Sequence, residues 1–321
     1  MLRPASILPY GIVCSSWNEV HDRHPEWTAQ VTLPPDTDRS KVLVTHVATR
    51  HNAPLFWQHT GTTDTSAYIE HYILLESGSK AVMVIQDVTL PSGLATIQEH
   101  THIVLAPQSD LTFIREQQAG TNAKVHTTLQ AELQTGSTLC CMHFSLSSMH
   151  IRNEYSIDLS APEARCTLYG LAALYRVEQL DQCVLIRHTA PSCHSFQSFK
   201  HILQDQSEAS FSGRILVPQD AQKTEAYQQS HNILLSSSAV MHVEPQLEIY
   251  ADDVKCSHGA TVGLLDQDAL FYLRQRGLSQ EQAYQMLLKA FMTDMLQKLP
   301  DDELYDYFMN LLDKKLKIMI P

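Results

Sequence analysis

Glycine is scarce in this sequence, 11 in 321 residues, roughly half the usual frequency. No Asn-Gly, Asp-Gly or Gly-Gly dipeptide occurs, and these are the strongest short hairpin signals. A meander, barrel or propeller of this length would carry several. No glycine is followed by lysine and no G-x-G-x-x-G occurs, so there is neither a Walker A loop nor a dinucleotide fingerprint. The chain is therefore not expected to hydrolyse ATP. No stretch approaches 18 continuous apolar residues: the uncharged run from Leu133 to Ile151 is full of Ser, Thr, Gln and His. That reads against a membrane span. Pro4 and Pro9 interrupt the short apolar start, which reads against a signal peptide. The seven cysteines are odd in number and contain no C-x-x-C pair, so neither a disulfide framework nor a zinc ribbon is indicated, and a reducing cytoplasm is expected. Charged residues are only 18%, with 35 acidic against 23 basic and a net charge of -12. A nucleic-acid binder would show a basic field instead.

What is present is 44% hydrophobic residues, enough for a sizeable core, with a polar remainder carried by Ser, Thr, Gln and 17 His. The length suits one large domain or two ordinary ones. Residues 1–40, with Pro25, Pro34 and Pro35, read as a poorly periodic lead-in. From 41 to 263 the chain is strand-like, with short apolar runs such as Val42–Val44, Ala67–Leu75, Ala81–Ile85, Ile103–Leu105 and Leu247–Tyr250 between polar breaks. Short strands without hairpin turns point to a parallel solenoid; at roughly twenty-odd residues per coil, about 200 residues would make about nine coils.

Residues 264–321 read as helical. A first helix from Asp266 to Arg276 carries Leu270 and Leu273 and stops at Gly277, a C′ glycine. Ser279 caps a second, with Gln282 completing a capping box. Its apolar positions Ala283, Met286, Leu287, Ala290 and Phe291 follow helical spacing. After Pro300, a third helix opens at Asp301 or Asp302, carries Leu304, Phe308, Leu311 and Leu312, and ends in a basic tail of Lys314, Lys315 and Lys317 that suits a helix C-terminus.

Two constellations could carry chemistry. His100 and His102, at i and i+2, share one face of a strand and resemble the metal-binding half-motif of cupins. Ala106 and Pro107 stand where the third ligand would be, so exposed polar residues are the favoured reading and a cupin-like metal enzyme the runner-up. Cys256 and His258 would likewise project together, with Glu248, Tyr250, Asp252 and Asp253 nearby and Leu247, Ile249 and Ala251 on the other face. Taken alone, this pair reads more readily as a small buried Cys beside a satisfied His. Thiolate plus imidazole also suits iron or iron–sulfur chemistry.

The stretch from Phe211 to Arg276, above all PQLEIYADDVKCSHGATVG followed by ALFYLRQRG, closely resembles the core of the SufB/SufD family, on the side of its SufD-type subunits. Residues 186–203 (IRHTAPSCHSFQSFKHIL) resemble it too, and residues from about Lys41 onward do so more weakly. The resemblance implies a right-handed parallel β-helix with a C-terminal helical domain. It implies a non-catalytic scaffold of the SUF iron–sulfur cluster assembly system that pairs with a SufB-like subunit and binds a SufC-like ATPase. A homodimer in isolation is compatible with it.

The family's interface histidine falls on His258 and the neighbouring thiol on Cys256, as candidates for iron or a transient cluster shared with SufB. The ATPase dock falls on roughly Asp266 to Leu299, with Glu281, Gln285, Lys289 and Asp294 as its exposed polar candidates. The chain departs from relatives in a shorter N-terminal region and in lacking a histidine near Cys183, ahead of His188. A plain interaction protein touching no iron is the third reading.

Overall fold

The computed structural model describes residues 3–4, 12–16, 18, 21–22, 42–61, 66–89 and 95–320. Most of the lead-in expected over 1–40 therefore lies outside the described residues. The remainder is a parallel β-solenoid of about seven turns followed by three helices. Its strands fall into two sheets. The first stacks β3 (Val42–Val47), β5 (Ser66–Leu75), β7 (Ala95–Leu105), the second halves of β8 (Asp110–Leu133) and β9 (Thr138–Leu159), β11 (Gln179–His188), β13 (Glu208–Val217) and β15 (Val240–Ile249). The second stacks β4 (Arg50–Gly61), β6 (Lys80–Thr89), the first halves of β8 and β9, β10 (Arg165–Leu174), β12 (His194–Leu203), β14 (Glu225–Leu234) and β16 (Lys255–Leu264). The long strands β8 and β9 run through a corner and serve both sheets. Two short strands, β1 (Arg3–Pro4) and β2 (Ile12–Ser16), add antiparallel to β4 and β3.

The parallel architecture is the expected one, but the coil is longer and the coils fewer. Asp110 stacks on Thr138, then Arg165, His194, Glu225 and Lys255, giving repeats of 28, 27, 29, 31 and 30 residues. Each coil holds two strands of about ten residues and two corners. The polar breaks seen in the sequence do not end these strands, because many inward positions are themselves polar. Gln117, Thr127, Ser145 and Asn153 hydrogen-bond to one another inside the solenoid, and Gln182, His201 and Asn232 form another such group. Buried polar groups are tolerated where they find partners.

The repeat lives in backbone conformation. One corner of successive coils places a residue in the left-handed region: Gly78, Gln108, Gly136, Glu163, Ser192 and Lys223, with φ between 59° and 70°. Each is followed by a small buried residue, in turn Ser79, Ser109, Ser137, Ala164, Cys193 and Thr224. Only two of the six corners use glycine, so no residue-identity repeat is visible. Left-handed backbone costs a non-glycine residue about 1–2 kcal/mol, against about 0.5–1 kcal/mol of extra chain entropy for glycine. Glu163→Gly, at an exposed corner, is therefore expected to raise stability by up to about 1 kcal/mol. Gly78→Ala, where a Cβ meets nothing but φ is +70°, should lower it by about the same. Urea midpoints of the two variants check both signs.

Among the buried histidines, burial shifts three far from their ordinary range: His143, His188 and His201. Burial pushes His143 down to about 3, helped by the positive charge of Arg115 and opposed by Glu99. Burial likewise takes His188 and His201 to about 4. All three are neutral in the fold at pH 7, whereas the unfolded chain binds protons at them below about pH 6.5. The stability they permit is present above that value and falls as pH drops toward 4. With three protons taken up on unfolding, the loss approaches 4 kcal/mol per pH unit near pH 5. Urea denaturation between pH 7 and pH 5 measures it; a flat profile would rule it out.

The helices are α1 (Gln267–Gln275), α2 (Gln280–Leu296) and α3 (Asp302–Met319). Asp266 and Asp301 cap the first and third, Ser279 and Gln282 form the expected capping box, and Gly277 takes φ +94° after α1. The buried stripe of α2 overlaps the expected one, with Ala283 buried and Leu287 and Phe291 partly buried against the core, but is centred on other positions. Leu288, Met292, Met295 and Leu296 face inward with Ala283, while Met286 and Ala290 are exposed. The helix is wedged between α3 and the outer face of the second sheet, so its apolar arc is set by two neighbours. Phe308 of α3 stacks on Phe144 at 4.0 Å between ring centroids. Lys315 is not a solvated tail residue either: its Nζ donates to the buried Glu178 Oε2 at 3.0 Å, tying α3 to the solenoid.

Candidate functional site

β16 is the last strand of the second sheet and β15 the last of the first, so the solenoid ends there without a covering coil. Cys256 stacks on Ala226 and His258 on Gln228, both buried residues lining the interior. Cys256 and His258 thus continue the inward-facing rows, as expected for i, i+2 positions, and are accessible because nothing lies above them. The expected grouping with Glu248 and Tyr250 does not hold. The turn over residues 250–254 separates β15 from β16 and resets the alternation, so Cys256 packs against the same apolar cluster as Leu247 and Ile249. Glu248 instead pairs with Arg214.

His258 is exposed, and no hydrogen bond or ion pair to it is formed among the described residues. Burial pushes the Cys256 thiol up, opposed in part by a backbone hydrogen bond at Ala226. It is a thiol in the isolated chain, and a metal or an incoming positive charge would be needed to make it a ligand. Gly259 and Gly263 lie within the extended strand, and a Cβ at either would meet nothing. The last coil therefore exposes a row of small side chains and glycines flanked by the exposed Val262 and Leu264.

His100 and His102 lie on the outer face of the first sheet. His100 Nδ1 is hydrogen-bonded to Thr128 Oγ1 at 2.7 Å, and His102 stacks on Tyr72 with its Nε2 3.2 Å from Glu70 Oε2. Among the described residues no group of three His, Cys, Asp or Glu side chains is placed to hold a metal ion. A cupin site is built inside an antiparallel barrel. In this parallel solenoid the two histidines are surface polar residues with partners, and the cupin-like alternative falls.

The four expected docking residues separate into two pairs. Glu281 is exposed and accepts a hydrogen bond from Gln285 Nε2 at 3.2 Å. Lys289 Nζ instead donates to Asp313 at 2.7 Å, and Asp294 receives Lys200 Nζ from the solenoid at 2.6 Å. These two hold α2 in place. What sequence reading missed is an apolar surface beside them: Phe271, Tyr272 and Met286 are all about half exposed or more. Large apolar residues in a helix read as core until tertiary packing shows otherwise.

Fold and site together define a class: a parallel β-solenoid with an open final coil, a thiol and an imidazole on that coil, and a helical domain packed on one flank. Residues 57–291 match the family described as SUF system FeS cluster assembly, SufBD core domain, and the chain belongs to that family. It is 32% identical over 272 residues to the iron-sulfur cluster assembly protein SufD of Escherichia coli, covering 81% of this chain and 64% of that relative. It is 33% identical over 201 residues to an iron-sulfur cluster assembly SufBD family protein of Synechocystis, covering 62% of this chain and 44% of the relative. The chain thus spans less than two thirds of the length of these relatives. No helix among the described residues is long and apolar enough to cross a membrane.

Proposed function

We propose that this protein is a non-catalytic scaffold subunit of SUF iron–sulfur cluster assembly, pairing with a SufB-like subunit through the open end of its solenoid and with a SufC-like ATPase through its helices. The observation that carries this is the uncapped last coil. β15 and β16 offer unpaired edges and an exposed inward face to a neighbouring chain, and edges of this kind are sites of strand pairing. Cys256 and His258 are two donors at that edge, half of an ordinary ligand set. A transient cluster, as cargo, would draw its remaining ligands from the partner. Six cysteines among the described residues are all unpaired, which supports a reducing compartment such as the cytoplasm.

Reconstitution with iron and sulfide, with and without SufB-like and SufC-like subunits, tests the reading. A cluster spectrum that needs all three proteins is expected; one formed by this chain alone would overturn it. For the ATPase dock, reversing Glu281 and replacing Phe271 and Met286 by Ser should weaken binding of the SufC-like subunit at least tenfold. The solenoid should be unaffected, because these side chains are exposed and make no hydrogen bond or ion pair to it. Reversal of Lys289 or Asp294 is expected to loosen α2 itself. Unchanged affinity in the first set would place the dock elsewhere.

A further inference from the structure

One buried polar group next to the proposed site has no partner. Leu168, Gln197, Gln228 and His258 occupy one inward-facing row across β10, β12, β14 and β16. Gln228 Nε2 donates to Gln197 Oε1 at 3.0 Å, one coil below. Its Oε1 is buried and accepts no hydrogen bond. The amide is held from the side as well: Nε2 lies over Gly213, where even a Cβ would come within 2.1 Å of it. In a primary amide the N–H anti to the carbonyl points directly away from the oxygen, so a side chain that donates downward through that N–H presents its oxygen upward. The next side chain up the row is His258, about one strand spacing away, ~4.8 Å.

We propose that Gln228 is a positioning residue for His258, its carbonyl oxygen taking one ring N–H of the imidazole so that the other ring nitrogen presents its lone pair at the open end. A neutral imidazole has one N–H and one lone pair, and the partner of the N–H decides which nitrogen is free. Metal-binding histidines are commonly oriented in this way by a hydrogen bond from the nitrogen that does not bind. The exposed His258 side chain has room to change rotamer toward this oxygen, and the bond would satisfy a buried acceptor that otherwise costs about 1–3 kcal/mol. This inference rests on the role proposed above for His258, but the tautomer it specifies is a property of the isolated chain.

The experiment is 15N NMR of the full-length protein at a pH where imidazole is neutral, with the His258 signals assigned by their loss in His258→Ala. One tautomer is expected to dominate at His258 in the native protein. Gln228→Leu, which removes the acceptor, should return His258 to the tautomer mixture of a free imidazole. Gln228→Glu should keep the single tautomer, because a carboxylate oxygen stands in the same place and the spare Nε2 of Gln197 can turn to donate to it. A free-imidazole mixture in the native protein would overturn the inference, and so would unaltered populations in Gln228→Leu. Should Gln228→Leu fail to fold, the native ratio decides by itself. In the assembled complex, Gln228→Leu should lower cluster yield several-fold and Gln228→Glu should preserve it. A single native tautomer together with full cluster yield in His258→Ala would leave the orientation standing and remove the scaffold site instead.

Discussion

His258→Ala is expected to abolish cluster formation on the assembled complex while leaving the fold and both partner contacts intact. The side chain is exposed, and the bond proposed for it to Gln228 is the one contact its removal takes away, so the substitution should cost the isolated chain about 1–3 kcal/mol and leave it folded. If the imidazole supplies a ligand at the joint between two subunits, no other residue of β16 replaces it, since Cys256 is the only other metal-binding side chain on that strand. Cys256→Ala separates ligation from packing. The thiol packs against the apolar cluster of Ile215, Val217, Ala221, Ala226 and Ala251, so a packing role predicts a stability loss of about 1 kcal/mol with cluster yield unchanged. Cluster spectra, thermal unfolding and gel filtration of the reconstituted complex measure all three quantities. Full cluster yield in a normally assembled His258→Ala complex would sink the functional assignment of this residue.

Arg115→Met is expected to be the most destabilising single substitution in the solenoid, by about 3–5 kcal/mol, or about 10 °C in Tm. Arg115 is fully buried inside the coil. Its Nε and Nη2 both donate to the Asp87 carboxylate, at 2.8 to 3.0 Å, and Nη2 also donates to Glu99 Oε2 at 2.7 Å. Thr101 Oγ1 donates to the remaining oxygen of Glu99. The two carboxylates hold the guanidinium well above its already high pKa. Taking the cation away leaves two carboxyl groups in a low-dielectric interior with no countercharge, and the loss comes from that exposure and not from the net worth of the pairs. Replacing all three residues by apolar ones of similar volume (Arg115→Met, Asp87→Leu, Glu99→Leu) should therefore recover most of the stability. Urea unfolding decides it: a loss below about 1 kcal/mol in the single variant, or a triple variant weaker than the single, contradicts this account.

The sequence alone settled what is local. Missing hairpin dipeptides pointed away from an antiparallel architecture, because a tight turn is written in the residues that make it. Asp266, Gly277, Ser279, Gln282 and Asp301 marked the helix ends, since capping is a matter of a few adjacent residues. The pairing of Cys256 with His258 on one side of a strand followed from a period of two.

Tertiary structure decided what depends on residues far apart in the chain. The coil length was hidden because the corner positions repeat a backbone angle and a small side chain, filled by Gly, Gln, Glu, Ser or Lys as each coil allows. The strands looked short because inward-facing Gln, Asn, Ser and His are satisfied by partners one or two coils away. Lys289, Asp294 and Lys315 read as solvated charges until the solenoid and α3 brought Asp313, Lys200 and Glu178 to them. Met286 read as part of the apolar face of its helix until the packing left it outside, where Phe271 and Tyr272 are exposed too. Accessibility of His258 follows from the same cause: its residue type and spacing are local, but only the ending of the stack at β16 leaves an inward-facing imidazole uncovered.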